Sequence, residues 1–464
     1  MKKTVILCIL TTAFLTACGQ QTPAYVTPAV SGVSTLEPVG SVYSEHSYAG
    51  EEAQPETALE TFVSGNGRCT IEKKPSYYEV YLDYTDGDYY ATGKAYAETM
   101  LAMGLDISGV IEPYLFENIN HAFPELQGNY KPVEDRIYEL MKKVPEDYKR
   151  EFEGFAETIS GGQKGIANDG ILAYEEALLI QMVPDCLREN NCNALTVWGE
   201  KSADGGRMFS RTMEWSMGSE NQMCTVHAVT HFKMGEGKNS YTTFGTLAML
   251  DILAGMNDKE VFGAILDSGS YFDYVCEDKK CYTLELRYAL EHMDSAREIG
   301  EYMVSESKNF TFSHNVLLTD PKESLVAEDC ANLQGDVPKQ SILRDQYTPL
   351  REGVCWDSPD SMGVVNAFVT EGSDDELSYS PSNWVRFNKL NTWVSEYDKM
   401  SFSDLKDLVT REQPAYESGI QKIYSDIVFH IIVYDYATDE LEVAFTGMDG
   451  IVDHPKFVKI EHRF

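Results

Sequence analysis

Cys192 is the residue whose neighbours suggest covalent chemistry. It opens an apolar, strand-like stretch, Ala194–Trp198, and an Asp-Gly-Gly turn leads into a second such stretch that carries Arg211 and Glu214. If the connecting loop centres near Ala203, Cys192 lies opposite Glu214 and Arg211 lies a few residues along. An arginine beside a thiol lowers the pKa of that thiol, and a carboxylate there can hold and orient an amine. The pattern predicts a nucleophilic cysteine, although a cysteine that opens a strand is more often a buried apolar residue or half of a disulfide.

The spacing of Arg211 and Glu214 imposes a geometric condition on such a site. Their positions differ by an odd number, and a regular strand points such residues to opposite faces. A bulge, or the end of the strand, is therefore needed to bring both side chains to one site.

The run from Cys192 to Trp215 resembles the start of the mature chain in the choloylglycine hydrolase and acyl-coenzyme A:6-aminopenicillanic acid acyltransferase families. Those chains begin with cysteine and a pair of small residues, followed by a strand, an Asp-Gly turn and a return strand that ends in Arg-Asn-x-Asp. The corresponding segment here is Arg211-Thr212-Met213-Glu214. Threonine replaces asparagine, and glutamate replaces aspartate, which makes the carboxylate side chain one methylene longer.

Further segments resemble these families in the same order along the chain. Gly255–Gly263 is similar to their Gly-Met-Asn-Glu-Lys-Gly turn, and Asp267 then falls where choloylglycine hydrolases place an asparagine of the oxyanion hole. Asn315–Asp320, followed by Glu328, is similar to the Asn-x4-Asp hairpin of these families, which a glutamate follows. Ser382–Phe387 looks like their Ser-x-x-Arg-Phe segment, whose arginine, here Arg386, supports the active site.

The resemblance implies an α+β fold: a four-layer αββα sandwich of the N-terminal-nucleophile hydrolase type, preceded by a mostly helical pro-segment. Gly93–Glu98 and Pro145–Ala156 resemble the pro-segment of the acyltransferase branch. The likeness covers roughly residues 75–450.

The resemblance also implies a mechanism. The catalytic residues it implies are Cys192, Arg211, Glu214, Asp267 and Arg386. Cleavage before Cys192 would free an α-amine, which has a pKa of about 8 in model peptides. That amine would take the proton of the thiol, and the thiolate would attack an amide carbonyl to form an acyl-enzyme. Asp267 would repel an oxyanion unless it were protonated, so a role in binding an amine is the alternative for that residue.

The sequence thus predicts a self-processing cysteine amidase or acyltransferase that acts on a linear, non-peptide amide of a small molecule. The departures at Glu214 and Asp267 keep an alternative open, namely an unprocessed, catalytically inactive ligand-binding lipoprotein of the same fold. A solute-binding lipoprotein of unrelated fold and a papain-like hydrolase, which needs a histidine partner for Cys192, are the remaining hypotheses.

The N-terminus predicts export to a bacterial membrane. A short positive region precedes an apolar stretch of signal-peptide length, and Leu15-Thr16-Ala17-Cys18 looks like a bacterial lipobox. We therefore expect a lipid anchor on Cys18. The alternative is an ordinary signal peptide in which this cysteine is incidental. The predicted segments are a signal peptide over 1–17, a lipid-anchored flexible tether over 18–60, a mostly helical segment over 61–191 and the hydrolase core over 192–464.

The net charge and the cysteine and histidine positions limit which partners and cofactors we expect. The formal net charge of −36 argues against nucleic acid. The resemblance implies a small-molecule amide substrate as a partner, and the lipobox-like segment implies contact with the membrane through a lipid anchor. Disulfides are the default for cysteines of an exported protein, and Cys276 with Cys281 could form a local one. No histidine or second cysteine pair stands at metal-ligand spacing, so we expect neither a metal nor a cofactor.

The hydrophobic pattern gives the elements that must position the site. Apolar residues at helical spacing predict helices, and alternating ones predict strands. The clearest predicted helices are Val133–Val144, Glu146–Ile159, Ile171–Val183 and a long one over Thr283–Ser305; the clearest hairpins are Val316–Asp320 with Ser324–Ala327 and Ile427–Tyr436 with Glu440–Phe445.

Overall fold

The computed structural model describes residues 47–126, 128–187, 191–268, 275–331, 340–372, 381–412 and 422–461. All of them belong to one compact unit, Tyr43–Phe464. The predicted signal peptide, Cys18 and the first part of the tether lie outside the described residues. Within these ranges, no helix has both the length and the apolar character needed to cross a membrane.

The strands form two sheets. In chain order they are β1 Glu60–Val63, β2 Cys69–Lys73, β3 Tyr78–Asp83, β4 Asn191–Val197, β5 Met208–Glu214, β6 His227–Lys233, β7 Tyr241–Thr246, β8 Ala254–Asn257, β9 Phe262–Asp267, β10 His314–Thr319, β11 Ser324–Asp329, β12 Ile342–Arg344, β13 Ser361–Val365, β14 Val428–Asp435, β15 Glu440–Phe445 and β16 Phe457–Lys459. One sheet has the order β1-β2-β3-β6-β7-β8-β9-β10-β11-β12, and the other has the order β13-β4-β5-β14-β15-β16.

The helices cover the outer faces of the sheets. They are α1 Tyr89–Ala102, α2 Ile107–Ala122, α3 Lys131–Met141, α4 Glu146–Ile159, α5 Tyr174–Leu179, α6 Val183–Cys186, α7 Tyr282–His292, α8 Ala296–Glu306, α9 Pro381–Ser395 and α10 Phe402–Val409. Helices α1 to α8 share one apolar cluster with the larger sheet. Helices α9 and α10 share a second cluster with the smaller sheet.

A third apolar cluster lies between the sheets. Alternate residues of β9 (Phe262, Ala264, Leu266) and of β14 (Ile432, Tyr434) belong to it, as the period of two in a strand requires. Because each sheet has one face in this cluster and the other under helices, the layers run helix, sheet, sheet, helix. The predicted αββα sandwich is confirmed.

The segment before Cys192 is more than a helical pro-segment. Its first three strands, β1 to β3, extend the larger sheet, and β3 pairs in parallel with β6. The tether also ends earlier than predicted. Tyr48 is buried and donates its hydroxyl to the Pro455 carbonyl at 2.8 Å, so the chain contacts the core from Tyr48 onward, although most of residues 49–60 are exposed.

The helix predicted over Thr283–Ser305 is two helices. The chain breaks at Met293, whose backbone is extended and whose carbonyl accepts from the side chains of Asn239 and Asn257, each at 3.0 Å. Ser295 then caps α8 by accepting from the Glu298 N–H at 3.2 Å. Tertiary hydrogen bonds and a cap override the continuous amphipathic pattern.

The local disulfide suggested for Cys276 and Cys281 is absent. Cys281 carries a free thiol, buried at the start of α7. Loop position alone was a weak indicator, because a disulfide also needs a specific distance and direction between the two Cβ atoms.

Candidate active site

Cys192 is the second residue of β4 and is fully buried between the two sheets. In the β4–β5 hairpin, Cys192 pairs with Met213, whereas Asn191 pairs with Glu214. The predicted register is therefore wrong by one residue. The hairpin closes with Val197 opposite Met208, so its link is centred between Ser202 and Ala203 rather than on Ala203.

Arg211 lies beside the thiol, as the sequence predicted. Its Nη2 donates to Cys192 Sγ at 3.3 Å and, across to the other sheet, to the Ile265 carbonyl at 3.2 Å. Burial raises the pKa of the Cys192 thiol, and the charge of Arg211 opposes that rise. Arg211 Nε and Nη1 find no hydrogen-bond partner among the described residues.

The backbone of Cys192 is held on both sides. Its N–H donates to Asn366 Oδ1 at 2.6 Å, and its carbonyl accepts from Arg386 Nη2 at 2.6 Å. Asn366 follows β13, where Val365 pairs with Asn193 of β4, so the antiparallel register sets residue 366 beside residue 192.

Asn366 is the main site residue that the sequence reasoning missed. It also accepts from Arg386 Nη1 at 3.2 Å and donates its Nδ2 to the Asp267 carbonyl at 2.6 Å. The available signal was the short apolar run Met362–Val365 before it, which is β13. An asparagine after a short strand does not by itself indicate a functional site. Its position beside Cys192 depends on the pairing of β13 with β4, which the sequence does not reveal.

Glu214 binds Arg386 rather than the nitrogen of Cys192. Its Oε2 accepts from Arg386 Nη2 at 2.6 Å, and its Oε1 accepts from the Ser425 hydroxyl at 2.6 Å. Arg211 and Glu214 need not point to the same face of β5 to serve one site. Arg211 contacts the thiol directly, whereas Glu214 is connected to the Cys192 carbonyl through Arg386 of α9. Burial raises the pKa of Glu214, which Arg386 counteracts.

Asp267 ends β9 and is buried. Its Oδ1 accepts from the Tyr282 hydroxyl at 2.9 Å, and its backbone carbonyl accepts from Asn366. Its charge acts on both Arg211 and the Cys192 thiol. The residues predicted from the sequence thus belong to one hydrogen-bonded network around Cys192, with Asn366 and Arg386 as its branching points.

Two other chemistries find little support in the described residues. No hydrogen bond of Cys192 Sγ described there involves a histidine, as a papain-like site would need. No group of three or more histidine, cysteine, aspartate or glutamate side chains stands at metal-binding geometry in the part of the chain that the structure covers.

No protein-family model matches the sequence, and no curated protein sequence matches it. Solved structures similar to this chain include an N-acylethanolamine-hydrolyzing acid amidase ortholog from Caenorhabditis elegans, 9% identical over 52% of this chain and 92% of its own, with a TM-score of 0.36. A variant of conjugated bile acid hydrolase from Clostridium perfringens is 13% identical over 59% of this chain and 97% of its own, with a TM-score of 0.34. Penicillin V acylase from Agrobacterium tumefaciens is 13% identical over 55% of this chain and 83% of its own, with a TM-score of 0.32.

Proposed function

We propose that this protein is a self-processing cysteine amidase that hydrolyses a linear, non-peptide amide through an acyl-enzyme on Cys192. One observation carries the proposal: each reactive group of Cys192 has its own buried partner. Arg211 lies 3.3 Å from Sγ, Asn366 lies 2.6 Å from the nitrogen, and Arg386 lies 2.6 Å from the carbonyl oxygen. A purely structural cysteine needs none of these charged or amide partners.

The uncut chain lacks the base that the reaction needs. The Cys192 nitrogen is then a peptide nitrogen, which does not accept a proton, and burial holds the thiol pKa above its usual value. In processing, the thiol adds to the Asn191 carbonyl carbon and the C–N bond to Cys192 breaks. The nitrogen takes the proton, and water hydrolyses the resulting thioester. The product is a free α-amine at residue 192.

The same residues then serve the amidase reaction. Asn366 Oδ1 accepts from the freed amine and orients its lone pair, while Arg386 and Glu214 fix the carbonyl of the same residue. The amine takes the thiol proton, the thiolate attacks the amide carbonyl, and the departing amine receives that proton. Water hydrolyses the acyl-enzyme. The donors of Arg211 beside the thiol are available to the oxyanion, and one well-placed donor contributes about 3 kcal/mol.

An unprocessed, inactive ligand-binding protein of this fold is the second candidate. Glu214 is already bound to Arg386 and Ser425, and Cys192 is fully buried in the continuous chain. Both facts suit a protein in which these charges serve only the fold. The cleavage state separates the two candidates.

The test is intact mass and N-terminal sequencing of the purified full chain. We expect two fragments, the larger beginning at Cys192. Cys192→Ala should leave the chain whole, whereas Cys224→Ala, a matched change at another buried free thiol, should still be cut. A single uncut chain in the parent protein would contradict the proposed mechanism and favour the binding protein.

Substrate screening follows from a cut chain. The panel should hold N-acylethanolamines, conjugated bile acids and penicillin V, the compounds named for the similar structures, together with other N-acyl amides. Cys192→Ala should abolish turnover of any substrate found. If the protein hydrolysed an ester but released no amine from any of these amides, the result would indicate a different reaction class.

We also propose that the protein is exported and anchored to a bacterial membrane through a lipid on Cys18. The lipobox-like Leu15-Thr16-Ala17-Cys18 supports this. Cys18→Ala should move the protein from the membrane fraction to the soluble fraction in cell fractionation. Equal membrane retention of both forms would contradict the anchor.

A further inference from the structure

The chain makes a tight turn directly after β13, with Asn366 at its centre. The Ala367 N–H donates to the Val365 carbonyl at 2.8 Å, which is the three-residue hydrogen bond of a γ-turn. Pairing with β4 ends at Val365, so it places Asn366 near Cys192 but does not fix the direction of its side chain. Contacts from outside the strand must therefore hold this turn in place.

Asn315 of β10 holds the backbone of this turn from the larger sheet. It is buried, and its Nδ2 donates to the Val365 carbonyl at 2.9 Å and to the Ala367 carbonyl at 3.1 Å. Asn315 thus binds the residue on each side of Asn366 and leaves the Asn366 side chain to face the site. From α9, Asn383 Nδ2 donates to the Asn366 carbonyl at 2.7 Å. All three carbonyls of the turn are therefore bound.

Glu328 of β11 holds the chain that follows the turn. It pairs directly with Asn315 in the β10–β11 hairpin, so the two side chains lie on the same face of the sheet. Its Oε1 accepts from the Val369 N–H and its Oε2 accepts from the Thr370 N–H, each at 3.2 Å. The amide of Asn315 donates to carbonyls and the carboxylate of Glu328 accepts from N–H groups. Together they fasten residues 365–370 to the larger sheet.

The held turn determines which end of the Asn366 amide faces the Cys192 nitrogen. Its Oδ1 accepts from the Cys192 N–H at 2.6 Å and from Arg386 Nη1 at 3.2 Å, whereas its Nδ2 donates to the Asp267 carbonyl at 2.6 Å. A reversed amide would set an NH2 group against two donors, so only this orientation satisfies the partners. Displacing a positioning contact of this kind by about 1 Å can slow a reaction about 100-fold.

We propose that Asn315 is a positioning residue: it holds the turn at 365–367 so that Asn366 Oδ1 orients the nitrogen of Cys192. That nitrogen is the leaving group in self-processing and the base in the amidase reaction, so the inference rests on the proposed function. It gives a role to the asparagine and the glutamate of the β10–β11 hairpin motif, Asn315 and Glu328, neither of which contacts Cys192 in the hydrogen-bonded network described above.

The test is the rate at which newly made full chain cuts itself. Cell-free synthesis supplies the uncut chain, translation is stopped, and the fraction cut before Cys192 is followed on gels. We expect Asn315→Ala to slow the cut about tenfold or more. Asn257→Ala is the matched control, because the Nδ2 of this buried asparagine also donates to two backbone carbonyls, those of Leu290 and Met293. The control should be cut at the rate of the parent.

A double-mutant cycle separates positioning from a general loss of structure. If Asn315 acts through Asn366, then Asn315→Ala should not slow the Asn366→Ala chain any further. Two effects that simply multiply would mean that Asn315 serves only the fold, and they would overturn the proposal, as would an unchanged rate in Asn315→Ala. A parent chain that is never cut would instead contradict the proposed function, and this role with it.

A second pair of variants decides if Asn315→Ala does not fold or if Asn366→Ala is not cut at a measurable rate. Asn315→Ser keeps a hydroxyl that can donate one hydrogen bond, and Asn257→Ser is the same change at the control position. Asn315→Ser should be cut more slowly than Asn257→Ser. Equal rates for the two serine variants would show a structural role and overturn the proposal.

Discussion

Two buried arginines, Arg211 and Arg287, have the same burial and opposite surroundings. Arg287 donates to both carboxylate oxygens of Glu151, at 2.5 and 3.1 Å, and to the Tyr241 hydroxyl at 2.7 Å. Its guanidinium carbon also lies 4.1 Å from the centre of the Tyr148 ring. Arg211 has the thiol and one carbonyl as partners, and two of its nitrogens have none among the described residues.

The pKa values of the two arginines shift in opposite directions because their partners differ. Burial alone would lower the pKa of Arg287. The charge of Glu151, with contributions from Tyr241, Tyr148 and Glu291, outweighs that effect and raises the pKa well above its usual value. Burial also lowers the pKa of Arg211, and there the nearby charges do not reverse the effect. Arg287 fastens α4 of the N-terminal segment to α7 of the core. Arg211 is buried with fewer compensating partners than Arg287.

The largest predicted effect is on stability at Arg287. Arg287→Met should lower the free energy of unfolding by about 3–5 kcal/mol, because it leaves Glu151 charged and buried without its partner. Arg211→Met should change it by less than about 1 kcal/mol, because a buried charge with unmet donors is replaced by an apolar side chain. Urea unfolding in the uncut Cys192→Ala background measures both on a single chain. Equal losses of unfolding free energy in the two variants would contradict the predicted difference between the two arginines.

The second prediction tests whether the Arg287 loss comes from Glu151. Glu151→Gln added to Arg287→Met should recover at least about 1 kcal/mol, since the uncompensated charge is then removed. A double-mutant cycle by urea unfolding gives the coupling energy. Simple additivity of the two single changes would mean that Arg287 acts mainly through its aromatic contacts with Tyr148 and Phe232.

The third prediction concerns the helix that carries Glu151. A Cβ at Gly93 of α1 would clash with the Glu151 carbonyl oxygen of α4, so the two helices pack through a glycine contact. Gly93→Ala should cost about 1–3 kcal/mol by forcing the helices apart. Gly65→Ala, where the Cβ meets nothing, should stay within about 0.5 kcal/mol of the parent. Equal melting curves for the two variants would contradict this contact.

The last prediction is a pH dependence at Asp185, a buried carboxylate that, unlike Glu151, receives no hydrogen bond from an arginine among the described residues. It accepts from the Tyr282 N–H and the Thr283 and Thr311 hydroxyls, each at 2.8 Å, and burial raises its pKa to about 7. The unfolded chain binds this proton only below a pH of about 4. The stability that Asp185 contributes is therefore fully present below about pH 4 and is lost as the pH rises through 7.

Asp185→Asn isolates that contribution. His227, whose pKa burial lowers to about 4, acts in the opposite sense on acidification, so only the difference between parent and variant is informative. The advantage of the parent over Asp185→Asn in melting temperature should shrink steadily between pH 4 and 7. A difference that is constant with pH would show that Asp185 does not titrate in this range.

The sequence motifs brought these candidate residues forward because they depend on local order. The β4–β5 hairpin, the β10–β11 hairpin and α4 were predicted from periods of two and of 3.6 with turn residues between them. The register of the first hairpin was missed by one residue, since loop length does not fix where a turn centres. The break at Met293 was missed because Asn239 and Asn257, which cause it, are distant in sequence.

From the sequence alone, the layered fold could be predicted, and Cys192, Arg211, Glu214, Asp267 and Arg386 could be named as one group. Hydrophobic periodicity and residue types are local properties, and both can be read along the chain. The contacts between atoms became visible only in the folded chain: Asn366, rather than Glu214 or Asp267, accepts from the Cys192 nitrogen, and Glu214 pairs with Arg386. Those contacts depend on strand order and register between segments far apart in sequence, where a shift of a single residue exchanges one partner for another.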